Sequence, residues 1–98
     1  MINYLECVYD KRKSFYKKAK VESIKTSFEQ TKDLFSYNTL VARVHFDFVK
    51  MIITYNFFGF YSQTTTRHQK EFFKQNYLND EEIKELFKKG TIKRKWEK

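Results

Sequence analysis

The side chains best suited to acid-base or metal chemistry in this sequence are two histidines and one cysteine. His45, His68 and Cys7 lie far apart, and no local signature pairs a histidine with a nucleophile or a second carboxylate. A zinc site needs several such ligands at close spacing, and a phosphate-cradling loop needs a glycine-rich run before a helix. The sequence therefore predicts no enzyme activity, no metal and no cofactor. We expect His45 on the solvent side of a strand and His68 against the sheet.

Basic residues interleaved with aromatic ones are the second group with a chemical use. They cluster near the start and at the end of the chain: Lys11, Arg12, Lys13, Tyr16, Lys17, Lys18, Lys20, Lys93, Arg94, Lys95 and Trp96. Together with Tyr9, such a surface combines phosphate neutralisation with stacking on bases. The alternative is that the lysines keep strand edges soluble, because Lys17 and Lys18 would point to opposite faces of a sheet. The sequence leaves open whether these residues form one patch.

Composition bounds the protein to one small domain. The 98 residues include eleven Phe, seven Tyr and one Trp, so we expect a core of large rings. With no proline and two glycines, no linker divides the chain. We expect a single domain over 1–98, in which 91–98 is a basic tail or a docked extension. The net charge of +8 favours a polyanionic partner, although solubility alone is an equal explanation.

The expected compartment follows from cysteine usage and hydropathy. A lone cysteine cannot form an internal disulfide, and the start MINYLECVYD does not have the layout of a secretory signal. The longest mostly apolar stretch, 51–61, is about half the length that a membrane-spanning helix needs. We expect a cytoplasmic protein that contacts no membrane, and the sequence leaves its oligomeric state open.

Alternating apolar and polar residues predict about four strands in the first two thirds of the chain. The predicted strands cover 3–9, 14–24, 34–48 and 51–61. Residues 25–33 lose the alternation, so we expect a loop there with Phe28 as an anchor. A turn near 47–50 would join the last two strands into a hairpin.

Two helices are predicted after the strands. Ser62 is a good N-cap for a first helix over about 63–76, with apolar Phe72, Phe73 and Tyr77 on one side and Arg67, Lys70 and Lys74 on another. Asn79 and Glu82 resemble a capping pair for the second helix, which Gly90 ends. The predicted fold class is α+β, with an antiparallel sheet in ββββαα order packed by one or two C-terminal helices.

Two segments of the chain resemble a known family. They are SYNTLVARV, residues 36–44, and GFYSQTTTRHQKEFFKQ, residues 59–75. Together they are similar to a family of small proteins of phages and Gram-positive bacteria, which share a Ser-Tyr-x-Thr-x-Val-Ala strand and a Tyr-Ser-x-Thr-Thr-x-Arg-His helix start. The resemblance implies a strand-to-helix core and an origin on a mobile element, and it carries no assigned activity.

The matching residues allow two interpretations. Besides Ser36, the matching residues with polar or aromatic side chains are Tyr37, Thr39, Tyr61, Ser62, Thr64, Thr65, Arg67 and His68. In the first interpretation they form a structural joint, in which Ser62 caps the helix and Arg67 or His68 ties it to Tyr37 or Thr39. In the second they converge on an anion at the helix N-terminus, where backbone amides favour negative charge.

These features favour a small binding protein. We expect a phage-type protein that inhibits or modulates a host nucleic-acid-handling complex by stoichiometric binding, as an anti-CRISPR protein does. Its partner would be a host nucleic-acid-processing protein or ribonucleoprotein, with or without direct RNA or DNA contact. The alternative is a nonspecific DNA- or RNA-binding accessory protein, whose affinity would fall steeply with salt. A small nuclease that uses Arg67 and His68 ranks third.

Overall fold

A computed structural model describes residues 1–11, 14–15 and 17–95. Within these residues the chain forms one antiparallel sheet of six strands and two helices, so the predicted α+β class is confirmed. The strands are β1 (Ile2–Tyr4), β2 (Ala19–Lys25), β3 (Glu29–Ser36), β4 (Thr39–Asp47), β5 (Ile52–Phe57) and β6 (Thr91–Lys95). The helices are α1 (Gln63–Gln75) and α2 (Asp80–Lys89).

The strands lie in the sheet in the order in which they occur along the chain. Each neighbouring pair is antiparallel. Both helices follow β5, and β6 then returns to pair with β5, which places Tyr55 opposite Ile92. The predicted number of about four strands is wrong, because one strand was predicted where β3 and β4 form a hairpin, and no strand was predicted at β6. Residues 91–95 form the last strand, and 96–98 lie outside the described residues.

β3 covers most of the segment that was predicted to be a loop. Its sequence, EQTKDLFS, places polar residues on both faces, so it lacks the alternation that predicts a strand. Polar side chains are paired across the sheet instead. Asp33 lies opposite Arg43 and accepts two bonds from its guanidinium, at 2.6 and 3.1 Å. Phe28, the predicted anchor, is 68% exposed in the turn before β3.

The predicted long strand over 34–48 is two strands joined by a tight turn. Tyr37 and Asn38 occupy the turn with φ values of 51° and 68°, and a positive φ at both central residues is typical of a two-residue hairpin. The turn predicted near 47–50 is present. There the Asp47 carboxylate accepts bonds from two backbone amides that follow it, at 3.0 and 2.9 Å.

The first two strands are shorter than predicted. β1 ends before residue 5, and β2 begins after residue 18. Leu5 still donates to the carbonyl of Ala19 at 2.9 Å, after which the chain leaves the sheet. The aromatic residues that suggested longer strands have other environments, since Phe15 is buried in the core and Tyr9 is exposed.

Both helices pack against the sheet and enclose an aromatic core. α1 contacts β3 and β4, and α2 contacts β5 and β6. The largest buried side chains include Tyr55, Phe72, Phe73 and Leu86. The Tyr55 hydroxyl donates to the carbonyl of Asn76 at 2.6 Å, so the core contains this polar group at little cost. Burial raises the pKa of Tyr55 to about 12, because the phenolate would lose its hydration.

The helix ends are set by the predicted capping residues. Ser62 Oγ accepts a bond from the amide of Thr65 at 3.1 Å. α2 begins with a reciprocal capping box, in which Asn79 and Glu82 accept bonds from each other's amides at 2.9 and 3.1 Å. It ends at Gly90, whose φ of 82° is the left-handed conformation that favours glycine. The Ser62 cap fixes where α1 starts.

Candidate functional site

The side of α1 that faces the sheet carries a buried polar cluster. Ser36 Oγ on β3 lies 2.9 Å from Thr65 Oγ1 and 2.8 Å from His68 Nδ1. All three side chains are buried. The His68 ring packs edge-on against Phe15, with the ring centroids 4.6 Å apart. This cluster fixes the rotation of α1 over β3, because turning the helix would bury these polar groups without partners.

The partners in this cluster differ from those predicted. His68 bonds to Ser36, the residue before Tyr37, and its ring centroid lies 6.0 Å from that of Tyr37. Arg67 points to the other side of α1, where its guanidinium lies 3.8 Å from the Asp10 carboxylate. Successive helical residues are about 100° apart, which explains the separation. Arg67 and His68 therefore do not converge on one ligand, as the anion and nuclease interpretations require.

A buried carboxylate on α1 holds the segment that follows β1. Glu71 is 2% exposed, and its Oε1 accepts bonds from the amides of Val8, Tyr9 and Asp10 at 3.1, 2.7 and 2.7 Å. Its Oε2 accepts a bond from Gln75 Nε2 at 2.7 Å. Successive amides that point to one oxygen form a nest, a backbone arrangement that binds anions. Here the protein's own carboxylate occupies the nest.

The side of α1 that is turned away from Thr65 and His68 carries cations around one concave surface, whose lining also includes Asp10 and Glu71. Arg67, Lys70 and Lys74 follow one another at spacings of three and four residues, so they share one side of the helix. Lys11, from the segment that Glu71 holds, joins them around a pocket of about 280 Å³. Lys11, Arg67, Lys70 and Lys74 are termed the cationic strip below.

The carboxylates near the cationic strip are turned inward or already bonded. The buried carboxylate of α1 is covered by backbone amides, and the side chain of Asp10 is 15% exposed. Lys74 Nζ lies 3.1 Å from a carboxylate oxygen of Asp80. Among the described residues, no carboxylate lies within ion-pair distance of Lys11 or Lys70. The charges of these two lysines therefore face solvent.

Exposed aromatic side chains line two pockets that border the cationic strip. Tyr9 is 58% exposed and lines the first pocket. Phe60 and Tyr61 are 65% and 57% exposed and line a second pocket of about 490 Å³. Arg67 and Lys70 belong to the linings of both pockets. Tyr9, Phe60 and Tyr61 are termed the flanking aromatics.

The basic residues predicted as a binding surface lie on separate parts of the fold. Lys20 is on β2, whereas Lys93, Arg94 and Lys95 are on β6, with three strands between them. At about 4.8 Å per strand, β2 and β6 are about 19 Å apart. Lys17 lies beside β1, with its Nζ 5.6 Å from the centroid of the Tyr4 ring. The sheet therefore does not bring these lysines together.

The other predicted basic and aromatic residues divide into three groups. Lys11 belongs to the cationic strip, and Lys18 is exposed before β2. Arg94 is used within the fold, since it donates to the Tyr77 carbonyl at 2.8 Å and pairs with Glu82 at 3.3 Å. The remaining ones lie outside the described residues: Arg12, Lys13, Tyr16 and Trp96.

Two charged residues on the sheet are also held by specific partners. Lys32 Nζ lies 5.5 Å from the centroid of the Phe46 ring and donates to Asn76 Oδ1 at 3.3 Å. Burial lowers the pKa of Lys32, because desolvation disfavours its charged form. The hydrogen bonds to Asp33 raise the pKa of Arg43 above its usual value. These contacts stabilise the sheet and give both cations partners within the fold, although the Arg43 side chain remains 40% exposed.

The remaining predicted residues do not share one location. Tyr61 is exposed in the second pocket, and Thr64 is half-buried in the first turn of α1. Tyr37 and Thr39 are exposed at the turn between β3 and β4. His45 lies on β4 with its Nε2 3.5 Å from a carboxylate oxygen of Glu29 and its side chain 33% exposed.

The sequence did not identify Lys70, Lys74 or Phe60 as site residues. A signal for the two lysines was present, because they share one side of the predicted helix with Arg67. Tyr9 is one of the aromatic residues that lie among the basic ones in the sequence, but its position beside the cationic strip depends on the contact between Glu71 and the amides of residues 8–10. Long-range contacts of this kind are not encoded in local spacing.

The described part of the chain has neither a metal-binding cluster nor a membrane-spanning helix. Within it, no group of three or more His, Cys, Asp or Glu side chains is placed to hold a metal ion. Neither α1 nor α2 has both the length and the apolar character that crossing a bilayer requires, and they are the helices of the described residues.

Fold and site together define a small α+β domain whose accessible chemistry is basic and aromatic. The chain matches DUF8033, a family of unknown function, over residues 4–89, and it belongs to that family. The match includes α1 and the segment that Glu71 holds, and it ends before β6. No curated protein and no solved structure matches the chain.

Proposed function

We propose that this chain is a stoichiometric binding protein rather than an enzyme, and that it binds an anionic part of a host nucleic-acid-handling complex. The observation that carries the proposal is the cationic strip, which collects Lys11, Arg67, Lys70 and Lys74 around one concave surface. Phosphates and acidic protein side chains are the groups that such a surface attracts. The expected place of encounter is the cytoplasm of a host cell.

The proposed mode of action is inhibition or modulation by occupancy, as in an anti-CRISPR protein. A net charge of +8 argues against mimicry of DNA, which requires an acidic surface. A basic protein would instead cover phosphates or acidic side chains that the complex needs for its own contacts. The resemblance of residues 36–44 and 59–75 to phage proteins supports a target in the host.

A nonspecific DNA- or RNA-binding accessory protein is the second candidate. The distribution of the other lysines favours it, since Lys20 and Lys93 lie on β2 and β6 rather than beside the cationic strip. Charge on several surfaces suits contacts with many phosphates without one docking site. The affinity of such a protein would decrease steeply with salt.

Partner capture from host lysate separates these candidates. The tagged protein, Lys70→Glu and Lys84→Glu serve as baits, with and without nuclease, and the captured proteins are identified by mass spectrometry. Lys84 is an exposed lysine of α2, so its reversal changes the net charge equally. We expect one protein complex that survives nuclease, is retained by Lys84→Glu and is lost with Lys70→Glu.

Two other results would change the conclusion. Bulk nucleic acid that disappears on nuclease treatment would favour the nonspecific candidate. Equal capture by the unchanged protein and by Lys70→Glu would overturn the proposed function, because the partner would then not use the cationic strip.

A further inference from the structure

The flanking aromatics add a chemistry that contact with phosphates alone does not need. We propose, as a step that rests on the proposed function, that the cationic strip and the flanking aromatics together bind single-stranded nucleic acid. Phosphates contact the cations, and unpaired bases stack on the exposed rings. Grooves for single strands combine these two features in many unrelated proteins.

The length of the cationic strip matches a short run of nucleotides. Seven steps along α1 separate Arg67 from Lys74, which at about 1.5 Å each is about 10 Å. A stretch of this length allows the three α1 cations to contact more than one phosphate of the same strand. Lys11 lines the first pocket with them and can contact a further phosphate.

Phe60, in the second pocket, is accessible and also held in place by other rings. Phe60 packs edge-on against Phe57 and Phe87, with centroid distances of 4.8 and 5.3 Å, while 65% of its surface remains exposed. Tyr61 is next to it and is 57% exposed. Rings that are already positioned lose little conformational freedom when a base stacks on them.

The rings lie beside two cations that line both pockets, and this placement favours a single strand over a duplex. Arg67 and Lys70 line both pockets, so a base on Tyr61 or Tyr9 and the adjacent phosphate can be bound together. In a duplex the faces of the bases are covered by their neighbours, and a protein ring reaches them only after unstacking. Duplex binding would therefore use the cations alone and be weaker.

Fluorescence anisotropy with labelled oligonucleotides tests this inference. The probes are an oligothymidylate and an oligouridylate of about 12 nucleotides, and a DNA duplex of equal length. We expect at least one single-stranded probe to bind about tenfold more tightly than the duplex, the difference that one stacked base makes. The two single-stranded probes show whether the strand is DNA or RNA.

Variants separate stacking from charge. Tyr61→Ala is expected to weaken single-strand binding about tenfold, whereas Tyr61→Phe, which keeps the ring, retains most of the affinity. Phe28→Ala removes an equally exposed ring in the turn before β3 and is expected to leave the affinity unchanged. Lys70→Glu is expected to weaken binding to every probe by about tenfold or more.

Several results would overturn the inference. These are equal affinity for duplex and single strands, no effect of Tyr61→Ala, or no binding of any probe. In each case the proposed function survives if lysate capture still depends on Lys70. Loss of that dependence would contradict the proposed function itself, so the two failures are distinguishable.

Discussion

The inward and outward sides of α1 both carry polar residues, but those residues have different surroundings. On the inward side Thr65 and His68 are buried with Ser36, and Gln69 Nε2 donates to the carbonyls of Val41 and Gly59 at 3.0 Å each. On the outward side Lys70 is exposed, and no described carboxylate lies within ion-pair distance of it. One helix therefore holds polar groups that position it and polar groups that remain available.

The difference in burial between the two sides of α1 indicates which of the motif residues can contact a binding partner. A buried polar group must be bonded within the fold, because leaving it unpaired costs about 1–3 kcal/mol. Exposed cations have no such requirement, since water solvates them. Polar residues next to each other in the sequence, such as Arg67 and His68, can consequently have unrelated functions. We expect inward substitutions to change stability and outward substitutions to change binding.

The largest expected effect is that of Glu71→Gln, which alters the contact that links the two sides. The glutamine side chain is neutral, so the three backbone N–H groups would no longer donate to a charged oxygen. Hydrogen bonds to a charged group contribute about 1.5–3 kcal/mol. We expect the free energy of unfolding in urea to fall by about 2–3 kcal/mol. The matched control is Glu81→Gln, an exposed carboxylate of α2, which should change stability by less than about 0.5 kcal/mol. Equal effects of the two substitutions would argue against an organising function for Glu71.

Ser36→Ala tests the inward cluster by removing one hydroxyl. It leaves Thr65 Oγ1 and His68 Nδ1 without the bond that each makes to Ser36. The expected loss of unfolding free energy is about 1–2 kcal/mol. Ser27→Ala, at an exposed position in the turn before β3, is the control and should be close to neutral. A neutral Ser36→Ala would mean that the cluster does not fix the position of α1.

Tyr55→Phe tests the polar group at the centre of the core. Loss of the bond to the Asn76 carbonyl should reduce stability by about 1 kcal/mol near neutral pH. Since the folded pKa is raised to about 12 from about 10 in the unfolded chain, the neutral hydroxyl stabilises the fold below pH 10, and this contribution is lost as pH rises towards 12. Tyr55→Phe should lack that part of the alkaline decline. Tyr61→Phe, at an exposed position, is the control, and an unchanged alkaline profile for Tyr55→Phe would refute the assignment.

The smallest expected effect is that of Lys70→Gln on the salt dependence of binding. Each phosphate contact on a single strand contributes about 0.7 to the slope of log affinity against log salt. Lys70→Gln should lower that slope by about 0.7 and change the unfolding free energy by less than about 0.5 kcal/mol. Lys84→Gln provides the same charge change on α2 and should leave the slope as it is. A slope that both variants lower equally would indicate diffuse attraction rather than a contact.

The helices were predictable because their signals are local. Ser62, Asn79, Glu82 and Gly90 act where the sequence places them, and each satisfies backbone groups of the nearest helical turn. β3 was not predictable from alternation, since its polar residues are stabilised by partners on β4, as Asp33 is by Arg43. The alternation of apolar and polar residues reveals a strand only when one of its faces is apolar and buried. A half-buried strand with polar residues on both faces shows little alternation.

The candidate site was predictable only in part, for a similar reason. The helical spacing of Arg67, Lys70 and Lys74 places them together without any structure. The addition of Lys11 and Tyr9 depends on the nest around Glu71, which joins residues about sixty positions apart. The lysines of β2 and β6 looked equivalent to these in the sequence, but the strand order separates them.

The most direct test of the division between the two sides of α1 is one comparison of affinities. Binding of Ser36→Ala and Lys70→Glu to the same labelled oligothymidylate is measured by anisotropy, at a temperature where both variants are folded. The account predicts that Lys70→Glu weakens binding by about tenfold or more and that Ser36→Ala stays within about twofold of the unchanged protein. A Ser36→Ala variant that loses as much affinity as Lys70→Glu would contradict the account, because the inward cluster would then belong to the binding site.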